Sequence, residues 1–107
     1  MQPIEPLDSQ TPVVEIETEL ADLLTQYLSN RWADLVAARE LLHDGDFTGL
    51  AHIAHRIRGT AASYGFRQLG DIAGAIETAA ETGDSESIEH RLADYDAFLR
   101  SVRIEYV

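Results

Sequence analysis

The sequence AHRIRGTAASYG, from Ala54 to Gly65, decides how this chain folds. Together with the residues just before it, this stretch places apolar side chains three and four positions apart, which at about 100° per residue forms one stripe along a helix. Such a stripe must face a core, because an amphipathic helix is stabilised mainly by burying its apolar face. The stripe consists of Leu50, Ile53, Ala54, Ile57, Ala61 and Tyr64.

The residues before this stretch predict a first helix and the start of the second. Apolar residues follow a helical period from about Thr18 to Asp44, and Gly45 is a typical residue for ending such a helix. Asp46 suits the N-cap of the helix that carries the opening stretch, and Gly65 is expected to end it. A connection this short makes the two helices antiparallel neighbours.

The residues after it predict two more helices. A third is expected over 66–82, and either Asp84 or Ser85 can cap a fourth, whose apolar spacing continues to Tyr106. No segment alternates between apolar and polar residues over the length of a strand, so a sheet is not expected. The predicted fold class is all-α, an antiparallel up-down-up-down four-helix bundle.

The N-terminal residues differ from the rest in composition. Residues 1–16 are predicted to be an extended arm, with one helical turn at Thr11 and Pro12, and residues 17–107 to be the bundle domain. The arm contains all of the prolines, Pro3, Pro6 and Pro12.

The polar side of the second helix carries an unusual group of residues. His55 lies roughly 150° from the centre of the apolar stripe, with the small residues Ala51, Gly59 and Ala62 around it and Arg58 close by. Glycine inside a helix costs roughly 1 kcal/mol against alanine, so Gly59 indicates that something bulky approaches the imidazole. An exposed imidazole beside a guanidinium suits a nitrogen that accepts a phosphoryl group. From these residues alone, a solvated and inert histidine remains an equal alternative.

These residues resemble the signature of the histidine-containing phosphotransfer (HPt) domain. Its pattern is Ala-His, two residues, Lys-Gly, small residues and a final glycine, which here corresponds to Ala54 through Gly65. The resemblance implies that His55 accepts the phosphoryl group, that Arg58 replaces the phosphate-assisting lysine and that Gly59 gives clearance for docking. An arginine in this place keeps the charge but changes its geometry from a compact ammonium to a planar fork.

A carboxylate on the predicted third helix is a candidate partner for the imidazole. Gly70, Gly74 and Glu77 share one side of that helix, and its glycines would let two backbones approach closely. Glu77 could then accept a hydrogen bond from one ring nitrogen of His55, although a solvated Glu77 is the alternative that the residues alone favour. In many HPt domains a Gln or Glu at the corresponding place holds the imidazole, and the resemblance therefore implies this role for Glu77.

The resemblance implies a phosphorelay intermediate. Such a protein exchanges a phosphoryl group between its histidine and an aspartate of a response-regulator receiver domain, and receives it from a sensor or hybrid histidine kinase. The chain would be a carrier without kinase activity or bound cofactor, with magnesium held by the receiver. An HPt-like module that docks a receiver or kinase without being phosphorylated is the alternative.

Composition argues against several other classes of protein. The formal net charge of −11 would repel nucleic acids and anionic lipids, and no apolar run reaches the length of a membrane span. The absence of cysteine excludes disulfides, thiol catalysis and cysteine-ligated zinc. No phosphate-binding glycine loop is present, so binding of ATP is not expected. We expect a cytoplasmic, monomeric protein.

The remaining histidines raise one further hypothesis. His52 and His55 have metal-ligand spacing and Glu77 could add a third ligand, but two histidines without a firm third ligand give only a weak indication of a metal site. His43, at the end of the first helix, and His90, on the polar side of the fourth, are expected to be solvated.

Overall fold

The computed structural model of the chain describes residues 11–107. Four α-helices form most of this part, and the prediction of four helices is confirmed. Each helix contacts the next, and the last also contacts the first. None of the helices within the described range is long and apolar enough to cross a membrane. The helices are α1 (Ala21–Asp44), α2 (Phe47–Tyr64), α3 (Arg67–Glu81) and α4 (Ser85–Ser101), and a 3-10 helix, Thr18–Leu20, precedes α1.

The helix ends follow from local sequence. The side chain of Asp46 accepts a hydrogen bond from a backbone N–H in the first turn of α2, and Asp84 does the same for α4, so both N-caps are confirmed. Gly65 ends α2 with a φ of 85°, a left-handed conformation that glycine adopts without steric cost. These short turns bring α3 directly against α2.

Two short strands were not predicted, and the expectation that the chain has no sheet is wrong. β1 (Val13–Ile16) and β2 (Arg103–Tyr106) pair in parallel, with Val14 opposite Ile104. The predicted continuation of the last helix to Tyr106 is also wrong, since α4 ends before β2. Each strand is only four residues long and lies at the far end of the chain from its partner. Apolar and polar residues do alternate from Val14 to Glu17 and from Arg103 to Tyr106, but each run is short and no hairpin turn joins the two, so their pairing could not be read from the sequence.

The arm predicted over residues 1–16 lies partly within the described range. Thr11 and Pro12 are not helical, so the predicted helical turn there is wrong. In β1, Val14 and Ile16 are buried in the core while their neighbours are exposed. This part of the chain is extended, as expected, but it packs against the bundle. The prediction for residues 1–10 lies outside the described residues.

The core fills the space between the four helices and beneath β1. On α2 its members include four residues of the predicted stripe, Leu50, Ala54, Ile57 and Ala61. Aromatic rings close the core near the turn between α2 and α3, where the ring of Tyr27 stacks on those of Tyr64 and Phe66 with centroids 4.2 Å and 5.3 Å apart. Burial of this stripe fixes which side of α2 faces outward.

Candidate functional site

The outward side of α2 presents His55. Its side chain is 63% exposed, on the opposite side of the helix from the buried Leu50 and Ile57. A Cβ added at Gly59, one turn later, would meet no atom within 4 Å apart from its chain neighbours and the adjacent backbone of α2. Packing within this chain therefore does not require glycine at this position. The open space above Gly59 is available to a molecule that approaches the imidazole from outside.

The structure brings Glu77 of α3 next to the imidazole. Glu77 Oε2 lies 3.0 Å from His55 Nδ1, and the Glu77 side chain is only 16% exposed. An ionised carboxylate can only accept hydrogen bonds, so this contact assigns the proton to Nδ1 in the neutral ring. The lone pair is then on Nε2, the nitrogen that makes no contact with Glu77.

Arg58 completes a group of three side chains. Its Nη1 lies 3.3 Å from Glu77 Oε1, and its Nη2 lies 3.5 Å from His55 Nδ1. Because Nδ1 donates to Glu77, it cannot also accept a hydrogen bond from Arg58, and the carboxylate is the group that attracts both neighbours. Glu77 Oε1 is buried and has an ion-pair contact with Arg58 but no hydrogen bond. The guanidinium is thus held beside the imidazole by charge attraction.

The two glycines of α3 have different neighbours. A Cβ added at Gly70 would stand 3.7 Å from Ala61 Cβ and 3.8 Å from the backbone oxygen of Arg58, so Gly70 lies where α2 and α3 approach closely. A Cβ added at Gly74 would instead stand 3.4 Å from Cδ of the Arg58 side chain. The sequence suggested close backbone approach for both positions, and the contact of Gly74 with Arg58 was not anticipated.

A buried polar network lies on the other side of α2 and was missed by the sequence analysis. Arg31 Nε donates to Asp34 Oδ2 over 2.9 Å, and Arg31 Nη1 donates to Thr60 Oγ1 over 3.0 Å. Arg56, the neighbour of His55, donates to the other oxygen of Asp34 over 2.8 Å. Because Thr60 and Arg56 belong to α2, the network ties α1 to the helix that carries His55. Arg31 and Asp34 look solvated in the sequence, and no local pattern indicates their burial.

The remaining histidines stand apart from this site. His43 and His90 are exposed, as expected, and His52 is exposed as well. Within residues 11–107, no group of three or more histidine, aspartate or glutamate side chains is arranged to hold a metal ion. The hypothesis of a site made by His52, His55 and Glu77 therefore has no support from the geometry.

Comparison with known proteins identifies the family. The sequence has no significant match among curated proteins or among solved structures. The family model described as Hpt domain matches residues 14–103, from within β1 to the first residue of β2, so the match spans all four helices. The chain therefore belongs to the Hpt domain family.

Proposed function

We propose that this protein is a phosphorelay intermediate that carries a phosphoryl group on Nε2 of His55. Membership of the Hpt family supports a phosphotransfer role, since Hpt domains are phosphocarriers and not kinases. The observation that carries the assignment to His55 is the contact of its Nδ1 with Glu77, made while the rest of the ring stays exposed. A nucleophilic nitrogen needs a free lone pair and access to its substrate, and Nε2 meets both conditions.

In the proposed step, His55 attacks the phosphorus of an aspartyl phosphate on a receiver domain. The Nε2 lone pair forms the N–P bond while the P–O bond to the aspartate breaks, and the carboxylate leaves with that electron pair. The ring becomes positively charged as the bond forms. Glu77 faces the Nδ1–H at 3.0 Å, so its carboxylate stabilises this charge as it develops. The reverse reaction returns the phosphoryl group to an aspartate.

Arg58 and Gly59 have separate parts in this proposal. The Arg58 guanidinium lies beside the imidazole and can donate to the oxygens of the transferred group, which carry negative charge throughout the step. Gly59 leaves the approach to His55 open, and we assign it to clearance for the docking partner. We expect magnesium to be held by the receiver and this chain to bind no cofactor.

The proposed partners are a receiver domain and a sensor or hybrid histidine kinase. We expect the protein to act as a cytoplasmic monomer. We also infer the up-down-up-down order of the helices, which is supported by the short turns at Gly45, Gly65 and Gly83 and by the contacts of each helix with the next. The burial of Val14 and Ile16 supports a domain that includes β1 and begins before the predicted residue 17.

A labelling experiment tests the proposed function. Purified protein is incubated with a panel of receivers phosphorylated on aspartate, and the transferred label is tested for the acid lability and base stability of phosphohistidine. The wild type should take up label and His55→Gln should not, while His52→Gln is the matched control because His52 is exposed on the same helix. His55→Gln should change the free energy of unfolding by less than about 0.5 kcal/mol, since the side chain is exposed.

Three results would contradict the proposal. Label retained by His55→Gln would place the phosphoryl group on another residue. Strong destabilisation of His55→Gln would mean that its role is structural. Receiver binding without label in the wild type would support the alternative, a module that docks its partner without being phosphorylated.

A further inference from the structure

The Arg58 side chain passes from α2 over the surface of α3. Arg58 belongs to α2, but its guanidinium reaches Glu77 on α3. The aliphatic part of the Arg58 side chain, here called its stem, must therefore cross the surface of α3. It crosses at Gly74, where an added Cβ would stand 3.4 Å from Arg58 Cδ and 3.9 Å from Nη1. Gly74 lies three residues before Glu77, almost one helical turn away on the same side of α3.

We propose that Gly74 is a positioning residue for Arg58. The absence of a side chain at Gly74 leaves a channel on α3 in which the Arg58 stem lies, and this channel directs the guanidinium to Glu77 and His55. The inference rests on the proposed function of His55 and Arg58, and it gives Gly74 a role different from the close backbone approach that the helical spacing suggested.

The contact distances indicate what the channel can hold. At 3.4 Å, an alanine Cβ would make a van der Waals contact with Arg58 Cδ without displacing it. A valine adds two γ-carbons beyond that Cβ, and its restricted χ1 rotation in a helix keeps at least one of them near the channel. The Arg58 stem would then have to leave α3. Both guanidinium contacts, 3.3 Å to Glu77 and 3.5 Å to His55, depend on that stem.

The energetics of helix formation separate this role from a purely structural one. Glycine is a poor residue for a helix interior, so replacing Gly74 by a residue with a side chain should favour α3. A substitution that only disturbed packing would lower stability and transfer together. The proposed role predicts that transfer falls while the thermal midpoint stays the same or rises.

Gly70→Ala is the matched control for Gly74→Ala. It adds the same atom to the same helix, but that atom would face Ala61 and a backbone oxygen and not the Arg58 side chain. Both alanine variants should retain transfer within about twofold of the wild type and gain in stability.

The decisive variant is Gly74→Val, assayed for phosphoryl transfer from a phosphorylated receiver. A displacement of about 1 Å at a reacting site can cost about 100-fold in rate, and we expect Gly74→Val to lose between about 10- and 100-fold. In an Arg58→Ala background, the same valine should cause no further loss, because the group it displaces is gone. Transfer at the wild-type rate by Gly74→Val would overturn the inference, and so would an equal loss with and without Arg58. If valine prevents folding, Gly74→Leu replaces it with the same expected outcomes.

A second measurement keeps the inference separate from the proposed function. In the unphosphorylated protein, the NMR signals of the Arg58 Nε–H and of the His55 ring should shift in Gly74→Val and stay unchanged in Gly70→Ala. If no receiver phosphorylates the wild type, the proposed function fails but these signals still decide whether Gly74 positions Arg58. Unchanged signals in Gly74→Val would overturn the positioning role even if transfer is normal in the wild type.

Discussion

The buried ion pair between Arg31 and Asp34 allows a sharp test of what joins α1 to the helix that carries His55. We consider Asp34→Ala. Only 9% of the Arg31 side chain and 12% of the Asp34 side chain are exposed, so the change leaves the Arg31 guanidinium in the interior without its counter-ion. Removing one partner of a buried pair costs about 3–5 kcal/mol, because the remaining charge is not solvated. Arg56 also loses its bond to Asp34, but its side chain is 58% exposed and water replaces that contact at small cost.

The expected loss is a large fraction of the stability of a small domain, which totals about 5–15 kcal/mol. In urea, where the free energy of unfolding falls by about 1–3 kcal/mol per molar for small proteins, the unfolding midpoint should fall by roughly 2 M with an unchanged slope. Equilibrium unfolding followed by circular dichroism measures both quantities.

The chain offers a matched control in Arg91 and Asp94. This pair has the same three-residue spacing and a similar N–O distance, 3.0 Å against 2.9 Å, but both of its side chains are 51% exposed. Asp94→Ala should therefore cost less than about 1 kcal/mol. Equal costs for the two alanine variants would refute the reasoning, since they would mean that water reaches the Arg31 guanidinium.

A double replacement separates charge from packing. Arg31→Leu combined with Asp34→Leu removes both buried charges, and exchanges of this kind are often neutral or stabilising. The double variant should therefore be more stable than Asp34→Ala. A double variant that is less stable than the single one would show that the network contributes through its shape and not through its charges.

Two further predictions concern α4. Tyr95 Oη donates to the backbone oxygen of Arg31 over 2.8 Å, and the pKa of this phenol is raised first by burial and then by the charge of Asp34. Tyr95→Phe should lower the free energy of unfolding, measured in urea, by about 1 kcal/mol. An unchanged unfolding midpoint would contradict this. Hydrogen bonds from the Ser87 hydroxyl and backbone N–H lower the pKa of the Asp84 carboxyl in the folded protein below its ordinary value of 3.8. The charged cap therefore stabilises α4 fully above the ordinary pKa, and this contribution is lost as the pH falls through the lowered pKa of the folded state. Acid unfolding of Asp84→Asn should therefore show a weaker pH dependence between pH 5 and 2 than that of the wild type, and identical acid profiles would contradict this.

Local physical rules explain which parts of the fold could be predicted from the sequence. The caps at Asp46 and Asp84 and the end of α2 at Gly65 depend on residues within one turn of each position, and all three are confirmed. The pairing of β1 with β2 depends on two short segments from opposite ends of the described chain, which the packing of the four helices between them brings together. No rule that compares neighbouring residues contains that information.

The same distinction applies to the site. Helical projection placed His55 outside the apolar stripe, because the direction of a side chain around a helix depends only on its spacing. The contact of Arg58 with Gly74 depends on how closely α2 and α3 approach and on which way a long side chain bends. The burial of Asp34 depends on the packing of α1 against α2, and it could not be read from a polar residue in an amphipathic pattern.

The parallel pairing of β1 with β2 has a consequence for the kinetics of folding. The contacts between successive helices close short loops, whereas the two strands enclose the whole bundle between them and close the longest loop described in the chain. Contacts between residues far apart in sequence carry a high entropic cost before they contribute stability, so we expect the strands to pair after the rate-limiting step. Weakening this pairing, for example with Val14→Ala, should then mainly accelerate unfolding and leave the folding rate nearly unchanged. The strand pair would thus give the folded bundle kinetic stability: it slows unfolding and lengthens the lifetime of the folded state without accelerating its formation.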